Sequence, residues 1–216
     1  MTLNQNKGNI YFLGIGGIGM SALARYFKAK GFSVSGYDRT STPLTISLEK
    51  EGISIHYLED INLIPTQLDM VIFTPAIPST NQEYNHLLSM GVKLWKRAEV
   101  LGKLSAEHKT LGCAGTHRKT TTSTLLAYLL HESSVGCQAF LGGISRNFNS
   151  NLLLSENSDF IVAEADEFDR SFLQLNPYIA IVTSVDADHL DIYGSKAAIH
   201  DAFKEYTKRI KPDGFL

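Results

Sequence analysis

Short apolar runs of strand length alternate with amphipathic stretches of helix length along the whole chain. That order is the βαβα signature of parallel sheets with helices packed on their faces. Asn9–Leu13 reads as a first strand and residues 21–30 as the helix after it. Ser33–Tyr37 is a second strand. Residues 69–74 form another, running into Thr74-Pro-Ala-Ile-Pro78, where two prolines forbid a continuing helix. Residues 92–95 are a short buried strand candidate. Residues 97–108 begin helical and then turn charged and mobile in character, so a domain boundary is expected there, between 1–106 and 107–216. A second strand-loop-helix unit starts at Lys109–Ala114 and continues with a helix over 120–130. Residues 159–163 and 179–183 are later strands, and 197–210 a last helix. Lys211-Pro-Asp-Gly214 is a turn signal, and the apolar residues after it read as the start of a further strand. The expected fold class is α/β: a Rossmann-like parallel-sheet domain followed by an incomplete P-loop α/β domain.

Composition narrows the function classes. A chain of 216 residues allows one large domain or two modest ones, at about 100–200 residues each. The net charge of −2, with acids and bases mixed throughout, supplies no basic field for nucleic acid or an anionic membrane. The N-terminal residues lack the charged and apolar regions of a signal peptide. No apolar run approaches the ~20 residues of a membrane span, so a cytoplasmic location is expected. Cys113 and Cys137 stand in no metal-ligand spacing and read as buried, reduced residues.

Candidate chemistry begins with Gly14-Ile-Gly16-Gly17-Ile18-Gly19, which follows a strand and opens a helix. It fits G-x-G-x-x-G: the first glycine for the tight turn, the second for backbone approach to a pyrophosphate, the third for close packing. A diphosphate would sit on the N–H groups of the helix N-terminus. Asp38 ends the second strand, where an acid can accept from a ribose hydroxyl. The motif alone leaves open a dinucleotide or a nucleotide-sugar.

A second loop, Gly112-Cys-Ala-Gly115-Thr116-His117-Arg118-Lys119-Thr120, compares with G-x-x-x-x-G-K-[ST] except at position 118. In such a loop backbone N–H groups surround the phosphates, the lysine neutralises charge and the next hydroxyl holds Mg²⁺. Glycine at such a site serves φ > 0 or close backbone approach, so Arg118 is expected to strain the loop and weaken ATP binding. Downstream, Glu164, Asp166, Glu167 and Asp169 follow one buried strand, and Asp186, Asp188, His189 and Asp191 follow the next. Each cluster alone reads as a solvated surface turn. Together, at strand ends of the sheet that carries the loop, they suit a bound cation.

These motifs, in this order, resemble the Mur ligases of peptidoglycan synthesis. The residues that carry the likeness are 14–21, 97–99, 115–122, 164–169 with Ser171 and Phe172, and 188–191 with Tyr193 and Gly194. The likeness covers essentially the whole chain. It implies an ATP- and Mg²⁺-dependent ligase that phosphorylates a muramyl carboxylate and then couples an amine to it. UDP-N-acetylmuramate and L-alanine are the implied small-molecule substrates. By position, Lys119 would stabilise the transferring phosphoryl group, and Thr120, Glu164 and His189 would hold metal. Gly115, Thr116, His117, Arg118, Lys119, Thr120 and Thr121 would line the ATP site. Gly14, Gly16, Gly17, Ile18, Gly19, Met20 and Ser21 would hold the UDP diphosphate, with Asp38 and Arg97 as nucleotide or sugar contacts. The sequence departs from the family at Arg118, where glycine is the pattern, and at Thr183-Ser184, where Thr-Asn is usual. The family's later ATPase segment and amino-acid domain are not represented in it. Two other readings stay open: a catalytically silent UDP-sugar-binding fragment, and an NAD-dependent oxidoreductase using the first loop alone.

Overall fold

The computed structural model describes residues 8–186 and 190–216. The chain divides into two compact units, Met1–Val100 and Leu101–Leu216.

The first unit holds β1 (Asn9–Leu13), α1 (Ile18–Ala29), β2 (Ser33–Tyr37), α2 (Pro43–Lys50), β3 (Ser54–His56), β4 (Met70–Phe73), α3 (Gln82–Ser89) and β5 (Leu94–Lys96). Its sheet has the order β3-β2-β1-β4-β5, with every neighbouring pair parallel. The central strand β1 is buried on both faces, which is why Ile10, Tyr11, Phe12 and Leu13 form an unbroken apolar run. Tyr11, Leu13, Tyr37, Val71 and Leu87 pack into one core cluster. Within it Glu83 is fully buried, and its carboxylate accepts from the Tyr11 hydroxyl, His56 Nε2 at 2.7 Å and the Asp60 N–H at 2.9 Å.

Helix α1 starts at Ile18, three residues earlier than the amphipathic pattern alone indicates, so Gly19 lies inside it. Two helices escaped the periodicity. Helix α2 is set by its start: Thr42 and Thr45 form a reciprocal capping box, with Pro43 in the first turn. Helix α3 is capped by Asn81, whose side chain accepts from the Tyr84 N–H at 2.8 Å. Helix α4 (Arg97–Glu107) runs unbroken, where mobility was expected after its first turns. Val100, Leu101 and Leu104 are buried along it, and burial of that stripe outweighs the charged residues between them.

The second unit holds β6 (Lys109–Ala114), α5 (Lys119–Glu132), β7 (Gln138–Ser145), β8 (Ser150–Leu153), β9 (Phe160–Ala165), β10 (Ile179–Val182), α6 (Leu190–Tyr193) and α7 (Lys196–Thr207). Its sheet order is β10-β6-β9-β7-β8. Four strands run parallel, and β8 closes one edge as an antiparallel hairpin partner of β7. That antiparallel edge departs from the all-parallel expectation. Gly142 and Gly143 break the apolar run in β7 and hid the strand. At the other edge, Phe215 bridges Ile179 in parallel, and its N–H donates to Tyr178 O at 2.9 Å. The apolar residues after Lys211-Pro-Asp-Gly214 thus begin to pair as the turn signal indicated. Cys113 and Cys137 are free and buried. Burial pushes the Cys113 thiol up to about 12 and Cys137 up to about 11, which leaves both unreactive near neutral pH. Among the described residues no helix is long and apolar enough to cross a membrane.

Candidate functional site

In the first unit the glycine loop joins β1 to α1. Gly14 turns the chain at φ +83°, a conformation that favours glycine. The N–H groups of Gly14 and Ile15 both donate to Tyr37 O, at 2.8 and 3.1 Å, tying the loop to the end of β2. Gly16 N–H donates to Asp38 Oδ2 at 2.8 Å, and Asp38 Oδ1 accepts from Thr40 N–H at 3.1 Å. Asp38 therefore braces the loop rather than standing clear of it. A Cβ at Gly16 would lie 2.6 Å from Thr45 Cγ2, and one at Gly19 would lie 2.6 Å from Arg97 Nη1. The close approach at Gly19 thus makes room for the Arg97 guanidinium, not for a strand. Met20 and Ser21 are buried, and the Ser21 hydroxyl donates to Ile18 O at 2.9 Å. The Ser21 N–H is also spent within the helix, on Gly17 O at 2.8 Å, so neither side chain points to a ligand and Ser21 has no donor left for one. Gly17 begins α1 with no side-chain cap and no acid in the first turn, so the positive end of the helix is left for an anion.

In the second unit three parallel neighbours, β10, β6 and β9, deliver three segments to one sheet end. The loop 115–118 follows β6. A Cβ at Gly115 (φ +134°) would overlap Thr183 Oγ1 at the end of β10. Thr183 Oγ1 donates to His117 O at 2.6 Å, while Ser184 Oγ bonds Thr116 Oγ1 at 2.9 Å and accepts from His117 N–H at 3.2 Å. Ser184 thus latches the loop where the family pattern has asparagine. Arg118 adopts φ 64°, ψ 14° and leads into α5 with no side-chain cap. The left-handed geometry that glycine favours is present, with an exposed arginine occupying it.

Lys119 and Thr120 open α5 and turn toward β9. Thr120 Oγ1 donates to Glu164 Oε1 at 2.8 Å, and Glu164 Oε2 accepts from Gly142 N–H at 2.7 Å. Lys119 Nζ lies 2.7 Å from Glu167 Oε2 and 4.0 Å from Asp166 Oδ1. The acidic run thus divides: Glu164 and Glu167 face the loop, Asp166 is peripheral, and Asp169 is exposed. His117 and Asp186 are both exposed and stand 3.8 Å apart. Thr121 is exposed on the first turn of α5. Asp188 and His189 lie outside the described residues. Glu167 as a partner of Lys119, and Gly142 as a partner of Glu164, had no assigned role in the sequence reading. The first was one acid among four, and the second a glycine in an apolar run.

Two family profiles divide the chain between them: "Mur ligase family, catalytic domain" matches residues 9–109 and "Mur ligase middle domain" matches residues 113–216. The chain belongs to the Mur ligase family. It is 54 % identical over 212 residues to the UDP-N-acetylmuramate–L-alanine ligase of Porphyromonas gingivalis, covering 96 % of this chain and 46 % of that protein. A crystal structure of UDP-N-acetylmuramate-alanine ligase from Thermotoga maritima aligns with TM-score 0.87 at 31 % identity, over 96 % of this chain and 48 % of that one. A crystal structure of UDP-N-acetylmuramate:L-alanyl-gamma-D-glutamyl-meso-diaminopimelate ligase from Neisseria meningitides aligns equally well, with TM-score 0.87 at 27 % identity, over 96 % of this chain and 70 % of that one. This Mur ligase chain spans about half the length of the curated relatives it matches. Within the family frame, Arg118 occupies a loop whose backbone is formed and whose lysine, hydroxyl and facing carboxylate are in place.

Proposed function

We propose that this chain is the UDP-sugar-binding and ATP-binding portion of a cytoplasmic ligase that joins L-alanine to UDP-N-acetylmuramate. One observation carries the reaction class: Lys119, Thr120 and Glu164 converge at the mouth of a P-loop, with Thr120 Oγ1 2.8 Å from Glu164 Oε1. The choice of substrates rests on relatives more than 50 % identical to nearly the whole chain. We assign residues 1–106 to the nucleotide-sugar and 107–216 to ATP.

The donor set fits magnesium. Hydroxyl and carboxylate oxygens are the ligands this hard cation takes, alongside several waters. Thr120 and Glu164, with His189, would hold it, and when bound it supplies positive charge that offsets repulsion between a carboxylate and the ATP phosphates. The uncapped N-terminus of α5 and Lys119 bind and orient the phosphates. The muramyl carboxylate oxygen then attacks the γ-phosphorus, forming an acyl phosphate and releasing ADP. The amine of L-alanine attacks the acyl carbon, the C–O bond to phosphate breaks, and an amide forms with inorganic phosphate leaving. In the first unit the N-terminus of α1 would hold the UDP diphosphate, with Arg97 beside it.

Thermal unfolding tests the reading. At about a hundredfold excess over Kd, a ligand selective for the folded state adds about 2.7 kcal/mol. UDP-N-acetylmuramate is expected to raise the melting temperature accordingly, and NADH to leave it unchanged. The reverse pattern would return the first loop to a dinucleotide and sink the proposal.

Arg118 favours a second reading, in which the nucleotide-sugar binds and ATP does not. A Cβ in the left-handed region costs about 1–2 kcal/mol, against about 0.5–1 kcal/mol for the flexibility of glycine. Arg118→Gly is therefore expected to stabilise the fold, by up to about 1.5 kcal/mol in chemical denaturation, and Arg118→Ala, which keeps the Cβ, is not. Titration calorimetry should show tighter ATP binding for glycine than for arginine. Equal affinities would remove Arg118 as the reason for silence.

A further inference from the structure

One contact at the second loop is unused by the proposed chemistry. Lys119 Nζ lies within 2.9 Å of Glu167 Oε1 and 2.7 Å of Oε2. Glu167 is only 1 % exposed, an unusual place for a carboxylate. Its backbone is held on two sides. The Glu167 carbonyl accepts from the buried Tyr193 hydroxyl at 2.7 Å and from Arg170 N–H at 2.9 Å. The preceding residue is pinned as well, with Phe172 N–H donating to Asp166 O at 2.8 Å. The acid is thus fixed by the fold, and the lysine, on a flexible four-carbon stem, is the group being fixed.

We propose that Glu167 is a positioning residue for Lys119, holding the ammonium at the loop before nucleotide arrives; that the anion it then meets is an ATP phosphate rests on the ligase reading. Two effects oppose each other. Glu167 competes with phosphate for the lysine, and it also removes the lysine's freedom in advance. Burial decides between them. Withdrawing a cation from a buried carboxylate is strongly unfavourable, so the ammonium stays with Glu167. An ammonium has three donors, and with one directed at Glu167 Oε1 others are left for a phosphate oxygen. Phosphate therefore joins a lysine already ordered, and preorganisation of this kind strengthens binding.

Proton–nitrogen NMR of lysine ammonium groups reads the contact without any ligand. Solvated lysine ammonium protons exchange too fast to be seen at neutral pH. The unaltered chain is expected to show one slowly exchanging ammonium signal that disappears in Lys119→Arg. Glu167→Gln keeps an acceptor but removes the charge that holds the ammonium, and is expected to erase that signal too. In an Arg118→Gly background the same change should weaken ATP binding about five- to tenfold by calorimetry, with a melting curve to show that the variant is folded. A missing signal in the unaltered chain overturns the proposal even if Glu167→Gln fails to fold. So does a signal that survives Glu167→Gln, or ATP binding that is unchanged or tighter in that variant. Signals that behave as expected while ATP binds to neither background support the positioning contact and overturn the ligase reading instead.

Discussion

Glu83→Ala is expected to destabilise the first unit by about 3–5 kcal/mol, because each buried donor left without its acceptor costs about 1–3 kcal/mol. Glu83 is fully buried in α3 and accepts from three elements at once. The Tyr11 hydroxyl reaches it from β1, His56 Nε2 from β3 at 2.7 Å, and the Asp60 N–H from the loop after β3 at 2.9 Å. A carboxylate only accepts, so His56 Nε2 carries the proton in this contact. Burial, and then the bond to Glu83, push the Tyr11 phenol far above its ordinary range, so it remains a donor at any physiological pH. Alanine would remove the acceptor these donors share and leave the Tyr11 hydroxyl and His56 Nε2, 3.2 Å apart, only each other. For a unit of this size each kcal/mol is about 4–8 °C, so calorimetry should show a fall of more than about 12 °C. Glu83→Gln keeps the volume and one acceptor and should cost much less. A Glu83→Ala variant within about 1 kcal/mol of the parent would show that the network carries no such weight. The damage should reach the first glycine loop. The Tyr37 ring packs 5.7 Å from His56, and the Tyr37 carbonyl receives the N–H groups of Gly14 and Ile15. UDP-N-acetylmuramate affinity is expected to fall with stability.

Gly142→Ala is expected to weaken magnesium-dependent ATP binding about 10–100-fold, the range for loss of a group that orients a metal ligand. Gly142 N–H donates to Glu164 Oε2 at 2.7 Å, while Thr120 holds the other oxygen. A Cβ at Gly142 would overlap the Glu164 carboxylate, with the carboxyl carbon 2.6 Å away. The carboxylate would have to swing off Thr120, separating the two proposed magnesium ligands. Gly143→Ala is the matched control, because its Cβ would meet Thr120 Cγ2 at 3.4 Å, close to ordinary contact. The comparison is best made with Arg118→Gly present, titrating ATP with magnesium and with a chelator. If Gly142→Ala binds Mg-ATP as the parent does, Glu164 is not a metal ligand here. If affinity falls equally in chelator, the effect lies in the loop and not in the cation.

Local signals in the chain were enough for the main frame. Apolar runs such as Asn9–Leu13 and Lys109–Ala114 carry their strand character in four or more consecutive core positions. The two glycine loops are legible because turn geometry and phosphate approach constrain residues that are neighbours in sequence. Elements with weak local periodicity were not legible. Helices α2 and α3 have eight residues each and are decided by caps at Thr42 and Asn81. The hairpin strands β7 and β8 are decided by pairing with each other and with β9.

At the second loop the sequence by itself determined which chemical groups are present: a lysine, a hydroxyl, four acids, and an arginine where glycine is the family pattern. It also determined that the segments carrying them follow strands and so share a sheet end. Only the tertiary structure decided which acid faces which donor. Glu164 and Glu167 stand three residues apart in one run, yet one meets Thr120 from more than forty positions away and the other meets Lys119. The register of β9 against β6 sets that division, with Glu164 opposite Cys113 and Ala165 opposite Ala114. Strand register is a contact between distant parts of the chain, fixed only when both strands turn their apolar faces to the same core. The same holds for Arg118. Its substitution is visible in the sequence, but that the backbone still turns through φ 64° there depends on the grip of Thr183 and Ser184 from the neighbouring strand.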